Sequence, residues 1–123
     1  MTESIHIGGE MRPVRFGLAA LLKYEQETGR IALDDFFEIS RGKVSVIVMV
    51  DLVYYGLIGG HEKTKTEVTF DKDDVADWMT ADNTIFERCM VAFAKAFPQL
   101  GNVKAAPQTK PTVPQAKLPA PQA

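Results

Sequence analysis

The chain has 123 residues, of which 46% are hydrophobic and 24% are charged, and this composition is typical of one globular domain. The net charge of −2 gives no electrostatic reason to expect a nucleic-acid partner. The single cysteine, Cys89, excludes an internal disulfide and favours a reducing compartment. The N-terminal sequence lacks the basic and apolar segments of a signal peptide, so the sequence predicts a cytoplasmic protein.

The N-terminal segment Glu3–Phe16 predicts a β-hairpin, because apolar and polar residues alternate on both sides of a glycine pair. A two-residue turn at Gly8-Gly9 would set Ile5 opposite Arg12. A four-residue loop would instead set Ile5 opposite Val14 and give one continuous apolar face. Because a continuous apolar face stabilises a register strongly, the sequence favours the longer loop.

Two helical segments follow the hairpin. Residues 18–28 predict a helix that ends at Gly29, and residues 33–39 predict a short helical turn. Ser40 is placed to cap the next helix. The first of these helices has one face formed by Leu18, Leu21, Leu22 and Glu25.

The longest apolar run, Val44–Ile58, predicts a central helix that ends at Gly59-Gly60. It is too short for a membrane span, and Asp51 lies in its middle, so no membrane association is expected. The Asp51 carboxylate is expected to bond a neighbouring donor or to be solvated at a gap.

The central helix has no polar face, and a helix that is apolar all round needs cover on every side. A domain of this size buries only about 60–65% of its unfolded surface. Either the remaining elements wrap the helix, or one side is left for a partner chain. Full burial would make Ile47→Ala lose about 2–5 kcal/mol of stability.

The remaining segments are shorter. His61–Glu67 predicts a polar loop, and Val68–Phe70 is extended. Asp71 opens a predicted helix that runs to Met79, with further acids in its first turn. Asp82 is expected to cap the last helix, Asn83–Phe97. The apolar face of that last helix is formed by Phe86, Cys89, Met90, Phe93 and Phe97.

The chain therefore divides into a predicted domain, residues 1–97, and a tail, residues 98–123. The tail holds six of the seven prolines and three lysines without any acidic residue. It has few side chains to bury, so the sequence predicts a disordered segment rich in Pro, Ala, Gln and Lys.

No group of residues matches a catalytic, cofactor or metal site. A calcium loop starting at Asp71 would put Ala76 where glycine is required, so acids at a helix N-terminus explain this segment better. Neither histidine has a Cys or His partner at metal-binding spacing. Cys89 is expected to be a buried apolar residue. Trp78 is expected to anchor the acidic helix or, if exposed, to form part of an interface.

Six short segments resemble a known family. They are Ile7-Gly8-Gly9, Arg12-Pro13-Val14-Arg15-Phe16-Gly17, Ala20-Leu21, Glu25-Gln26-Glu27-Thr28-Gly29, Tyr55-Gly56-Leu57 and Val75-Ala76-Asp77-Trp78. Over residues 5–97 the chain resembles a small tail assembly chaperone of long-tailed bacteriophages, also found in gene transfer agents. The segment Ile58–Thr69 is longer than the resemblance leads us to expect, and the tail resembles nothing in particular.

This resemblance implies a non-enzymatic protein of the host cytoplasm that is absent from the mature virion. The implied partners are the tape measure protein, which such chaperones keep soluble, and the tail tube protein, whose subunits they recruit. Two alternatives remain open. The chain could be a structural tail protein, a tube or connector component that self-associates and stays in the virion, or an unrelated cytoplasmic adaptor.

The sequence thus predicts an α+β fold that is mostly α-helical, with an N-terminal β-hairpin and about four to five helices packed around a central apolar helix. No cofactor or metal is expected. The candidate partner-binding residues are Val48, Asp51, Tyr54, Tyr55 and Trp78.

Overall fold

The computed structural model describes residues 2–98, so the predicted tail lies outside the described residues apart from Pro98. In chain order the elements are β1 (Glu3–Ile7), β2 (Glu10–Val14), α1 (Leu18–Thr28), α2 (Ala32–Ser40), α3 (Val46–Thr64), α4 (Lys72–Ala81) and α5 (Ile85–Ala96). The two strands form one antiparallel sheet. The α3 helix packs against β2, α1, α4 and α5. The predicted α+β, mostly helical fold class is confirmed.

The two strands are joined by a two-residue turn at Gly8-Gly9. The predicted four-residue loop is therefore wrong. Ile5 pairs with Arg12, and Gly8 and Gly9 form the turn with φ of 65° and 85°. Positive φ at both central residues matches the twist of a two-residue hairpin. Arg12 faces the core beside Ile5, and its Nε donates to the carbonyl of Ile7 at 2.9 Å. This bond satisfies a buried donor, which is why the register tolerates an arginine there.

The α1 helix has the predicted bounds, and Gly29 ends it in the left-handed conformation with its N–H bonded to the carbonyl of Glu25. The α2 helix is one residue longer at each end than predicted. Ser40 does not cap the central helix, because its hydroxyl donates to the carbonyl of Phe36 in the last turn of α2. Ser45 is the N-cap of α3 instead, and its hydroxyl accepts from the backbone of Val48 at 3.4 Å.

The central helix continues through Gly59 and Gly60, so the predicted glycine stop and the predicted loop from His61 are wrong. The helix ends only at Lys65, which has φ of 59°. The two glycines permit close packing: a Cβ at Gly60 would lie 2.1 Å from the Pro13 carbonyl oxygen, and one at Gly59 would lie 2.4 Å from that of Arg15. Glycine serves here for close approach of two backbones.

The acidic helix begins as predicted. Asp71 and Asp74 form a capping box, each side chain accepting from the other residue's backbone N–H. The last helix begins later than predicted, at Ile85 with Thr84 as N-cap. Asp82 stabilises the preceding turn instead, where its carboxylate accepts from the backbone and the hydroxyl of Thr84.

The core lies between the hairpin, α3 and α5. Phe93 of α5 stacks on Phe36 with ring centroids 4.3 Å apart and tilts against Phe16 at 5.0 Å. The predicted apolar face of the last helix is therefore turned inward, and Ile85 and Ala92 are buried with it. The core occupies one end of α3 only, which leaves the start of that helix uncovered.

Candidate functional site

The central helix is buried along most of its length and exposed at its start. Every residue from Asp51 to His61 is buried except Tyr54, which is half-buried. Val44, Val46 and Ile47 are 74%, 73% and 65% exposed. The other elements therefore do not wrap the whole helix, so the first of the two arrangements given above does not hold for its start. Ile47 is exposed, so the full burial under which Ile47→Ala would lose about 2–5 kcal/mol is not present at this position.

A groove adjoins this exposed turn, and we call it the α3–α5 groove. It lies between the first half of α3, the second half of α4 and the start of α5, and its volume is about 230 Å³. The lining residues are Val46, Met49, Val50, Ala76, Met79, Thr80, Asp82, Asn83 and Phe86. Most of these side chains are apolar, so the groove is an apolar surface open to solvent.

A second apolar surface lies on α1. The buried residues of that helix are Ala20, Leu21 and Tyr24, whereas Leu18 and Leu22 are 77% and 59% exposed. The leucine face predicted from the sequence is therefore turned mostly to solvent. It forms a groove of about 450 Å³ lined by Leu18, Ala19, Leu21, Leu22, Glu25 and Leu33. We call this surface the α1 leucine face.

The five candidate partner-binding residues do not form one surface. Val48 is half-buried and packs against the core, and Tyr54 and Trp78 are also half-buried. Asp51 and Tyr55 are 5% and 2% exposed. Three of the exposed large apolar side chains lie elsewhere on the two grooves: Val46 on the α3–α5 groove, and Leu18 and Leu22 on the α1 leucine face.

Asp51 lies at the centre of a buried ionic cluster. Its Oδ2 accepts from Arg30 Nη2 at 2.5 Å, and its Oδ1 is 3.0 Å from Lys72 Nζ. Arg30 also donates to Asp35 at 2.9 Å. The bond to Asp51 is the main reason that the pKa of Arg30 is raised. The predicted bond to a neighbouring donor is confirmed, and it ties α2 and α4 to the central helix.

The adjacent tyrosines extend this cluster. Lys72 Nζ lies 5.6 Å from the ring centroid of Tyr54 and 5.0 Å from that of Tyr55, within range of a cation–π interaction. The Tyr55 hydroxyl donates to Glu27 of α1 at 2.7 Å. Burial and this bond raise the pKa of Tyr55. These contacts hold α1, α3 and α4 together.

Trp78 packs under the hairpin. The Arg12 guanidinium carbon lies 4.4 Å from the indole centroid of Trp78 and 5.2 Å from the ring centroid of Phe70. A Cβ added at Gly8 would lie 2.4 Å from the indole ring, so the turn itself rests on Trp78. Trp78 thus anchors α4 to the hairpin, which agrees with the structural role predicted for it.

Sequence reasoning missed the residues that line the groove from three different helices. Met49 and Phe86 belong to apolar patterns that the sequence displays, but the pattern does not reveal which members stay exposed. In the sequence Met79 marks only the end of a predicted helix. One signal in the sequence indicates an uncovered apolar surface: the central helix is apolar all round, and the domain is too small to cover it easily.

Three further features of residues 2–98 concern metal binding, the state of the thiol and membrane-spanning helices. No group of three or more His, Cys, Asp or Glu side chains there is placed to hold a metal ion. Burial raises the pKa of the Cys89 thiol to about 12, so this residue stays protonated. Within the same range, no helix is long and apolar enough to cross a membrane.

Comparison of the chain with protein-family models, with curated proteins and with solved structures finds no match in any of the three. The resemblance to tail assembly chaperones therefore stays a prediction from the sequence.

Proposed function

We propose that this chain is a phage tail assembly chaperone that binds the tape measure protein in the host cytoplasm and recruits tail tube subunits. The observation that carries the proposal is the presence of two separate apolar surfaces on one small domain. The α3–α5 groove and the α1 leucine face have no lining residue in common. Clustered apolar exposure on a monomer marks protein-binding surfaces. Two such surfaces suit a protein that brings two partners together.

The segments that resemble the family support the proposal because they contact one another. Arg15 and Phe16 lie in one segment and Gly56 in another. The backbone N–H of Arg15 donates to the Gly56 carbonyl at 2.9 Å. A Cβ at Gly56 would lie 2.4 Å from the Phe16 ring. These two segments thus belong to one packing unit between the hairpin and α3, as expected of residues that define a fold.

A binding role also agrees with the state of the reactive side chains. Asp51 is engaged by two cations, and Cys89 is buried. His61 is buried, and its Nδ1 is bonded to the Thr66 hydroxyl. An exposed apolar groove needs none of these groups, since a helix can bind through its apolar stripe alone.

Co-expression tests the proposal. The full chain, produced together with the cognate tape measure protein, should keep that protein in the soluble fraction and co-purify with it. Apolar contact should leave the complex largely intact as ionic strength rises, because salt screens charge interactions only. Leu22→Lys should weaken capture of one partner, whereas Gln26→Lys, on an exposed polar position of the same helix, should affect neither.

The proposal fails if the tape measure protein precipitates equally with and without this chain. Mass spectrometry of purified phage particles distinguishes a chaperone from a structural tail protein. Stoichiometric amounts of the chain in virions would identify a structural tail protein instead.

A further inference from the structure

The walls of the α3–α5 groove have the chemistry of a helix-binding site. Met49 and Val50 lie three and four residues after Val46, so both neighbour Val46 on one side of α3 and form an apolar patch with it. Met79 and Phe86 form the opposite wall. Methionine side chains are flexible and polarizable, and they adapt to differently shaped apolar partners. An amphipathic helix is the segment that such a groove accommodates.

The rim of this groove is acidic. Residues 71–87 contain six acidic residues and one lysine. Asp73 and Asp77 precede groove residues of α4 by three positions, so they lie along the same side of that helix. Glu87 follows Phe86 in the first turn of α5. All three acids are exposed, and among residues 2–98 none of them takes part in an ion pair.

Nearby basic residues are already paired. Arg41 and Lys43, which precede the exposed start of α3, lie 3.0 Å and 3.4 Å from the two carboxylate oxygens of Glu38. Arg88 pairs with Asp82 at 2.9 Å, and Lys72 pairs with Asp51. The unpaired charge at the rim is therefore negative, and it selects for a positively charged partner.

From this arrangement we infer that the α3–α5 groove binds an amphipathic helix whose apolar stripe is flanked by lysine or arginine residues. The inference rests on the proposed function for the identity of the partner, a helical segment of the tape measure protein. The inference adds the binding site on this chain, which is the α3–α5 groove, and the amino-acid pattern of the partner helix. Apolar contact supplies most of the affinity, and the acidic rim supplies selectivity.

Two synthetic helical peptides test the inference on the full chain. Both carry the same leucine stripe over about five turns, and the flanking positions are lysine in one and glutamate in the other. Fluorescence anisotropy of the labelled peptides gives the dissociation constants. We expect the lysine peptide to bind at least ~10-fold more tightly at low ionic strength, and the preference to shrink near 1 M salt, where the Debye length is ~3 Å.

Substitutions in the first turn of α3 locate the site. Val46→Lys places a positive charge in the groove and should weaken binding of the lysine peptide at least ~10-fold. Ile47→Lys is the matched control, because Ile47 is similarly exposed and does not line the groove. Asp77→Lys should reduce the preference for the lysine peptide, and Asp34→Lys, at an exposed acid on α2, should leave it unchanged. Circular dichroism melting curves confirm that each variant folds.

Equal binding of the two peptides, or equal effects of Val46→Lys and Ile47→Lys, would overturn the inference. The result is separable from the proposed function. If Val46→Lys still co-purifies with the tape measure protein as well as the unmodified chain does, the groove is not the site although the chaperone role stands. If the lysine peptide binds the groove and the tape measure protein does not co-purify, the groove stands and the chaperone role fails.

Discussion

Gly60→Ala is expected to destabilise the domain, although alanine favours a helix more than glycine does. The added Cβ would lie 2.1 Å from the Pro13 carbonyl oxygen and 2.7 Å from the Val14 backbone nitrogen. Both neighbours are backbone atoms of β2, so no side chain can rotate away. The strand and the helix have to separate by at least about 1.3 Å to reach an ordinary van der Waals distance.

The magnitude follows from what holds that strand. Val14 is fully buried, and the next residue donates to the Gly56 carbonyl at 2.9 Å. Overpacking of a core contact loses about 1–3 kcal/mol, and a weakened hydrogen bond adds about 1 kcal/mol. Helix propensity returns up to ~1 kcal/mol. With the full helix-propensity gain the net loss is about 1–3 kcal/mol, which lowers the melting temperature of a domain this size by about 4–24 °C.

Thermal and urea unfolding, followed by circular dichroism, measure this loss. Lys63, on the exposed side of the same helix, provides the control. There, Lys63→Ala should be more stable than Lys63→Gly, because only helix propensity acts. A Gly60→Ala variant that melts within about 2 °C of the unmodified chain would refute the argument that these two backbones are in obligatory contact.

Three further expectations concern single side chains. Ile47→Ala should change the free energy of unfolding by less than about 1 kcal/mol, because the side chain is 65% exposed. Burial, and to a lesser degree the nearby Arg12, lowers the pKa of His61, so the unfolded chain takes up the proton first as pH falls. Stability should therefore decrease below the ordinary histidine value of about 6.5, and His61→Gln should reduce that decrease. Asp51→Asn should lose about 1–3 kcal/mol in urea unfolding, less than for a wholly buried pair because Arg30 and Lys72 are 33% and 42% exposed.

Each of these has a decisive counter-result. A loss above 2 kcal/mol for Ile47→Ala, on the order expected of a core residue, would mean that the start of α3 is covered in solution. Identical pH profiles for His61→Gln and the unmodified chain would remove His61 as the source of acid sensitivity. Glu38→Gln, which breaks only surface pairs, should stay within about 0.5 kcal/mol, and an equal effect of Asp51→Asn would mean that the buried cluster adds no stability.

Local signals in the sequence predicted the features that depend on neighbouring residues. Gly29 ends α1 and Asp71 begins α4, because each acts on backbone groups within four positions of itself. The fold class follows from the same local patterns.

Features that depend on distant residues could not be predicted. The hairpin register places Arg12 in the core, and its stacking partner Trp78 lies far along the chain. The glycine pair in α3 predicts a helix end from the sequence alone. Its actual role, close packing of α3 against the backbone of residues 13–15, depends on a contact that is distant in sequence. The α3–α5 groove is formed by three helices, so its members share no sequence pattern. The sequence pattern predicts only that the apolar central helix needs cover from other parts of the chain or from a partner.

The contact between the first strand and the last helix determines when this domain can be completed during synthesis. β1 packs against α5, Glu3 lies 3.7 Å from Lys95, and the Phe16 ring packs on Phe93. An isolated two-stranded hairpin is marginally stable in water. The hairpin can pack on α3 through β2 once residues 46–64 have emerged, whereas the contacts of β1 and Phe16 with α5 need residue 93 to have left the ribosome exit tunnel. Closure of the hairpin onto α5 is therefore a late, non-local step that slows folding.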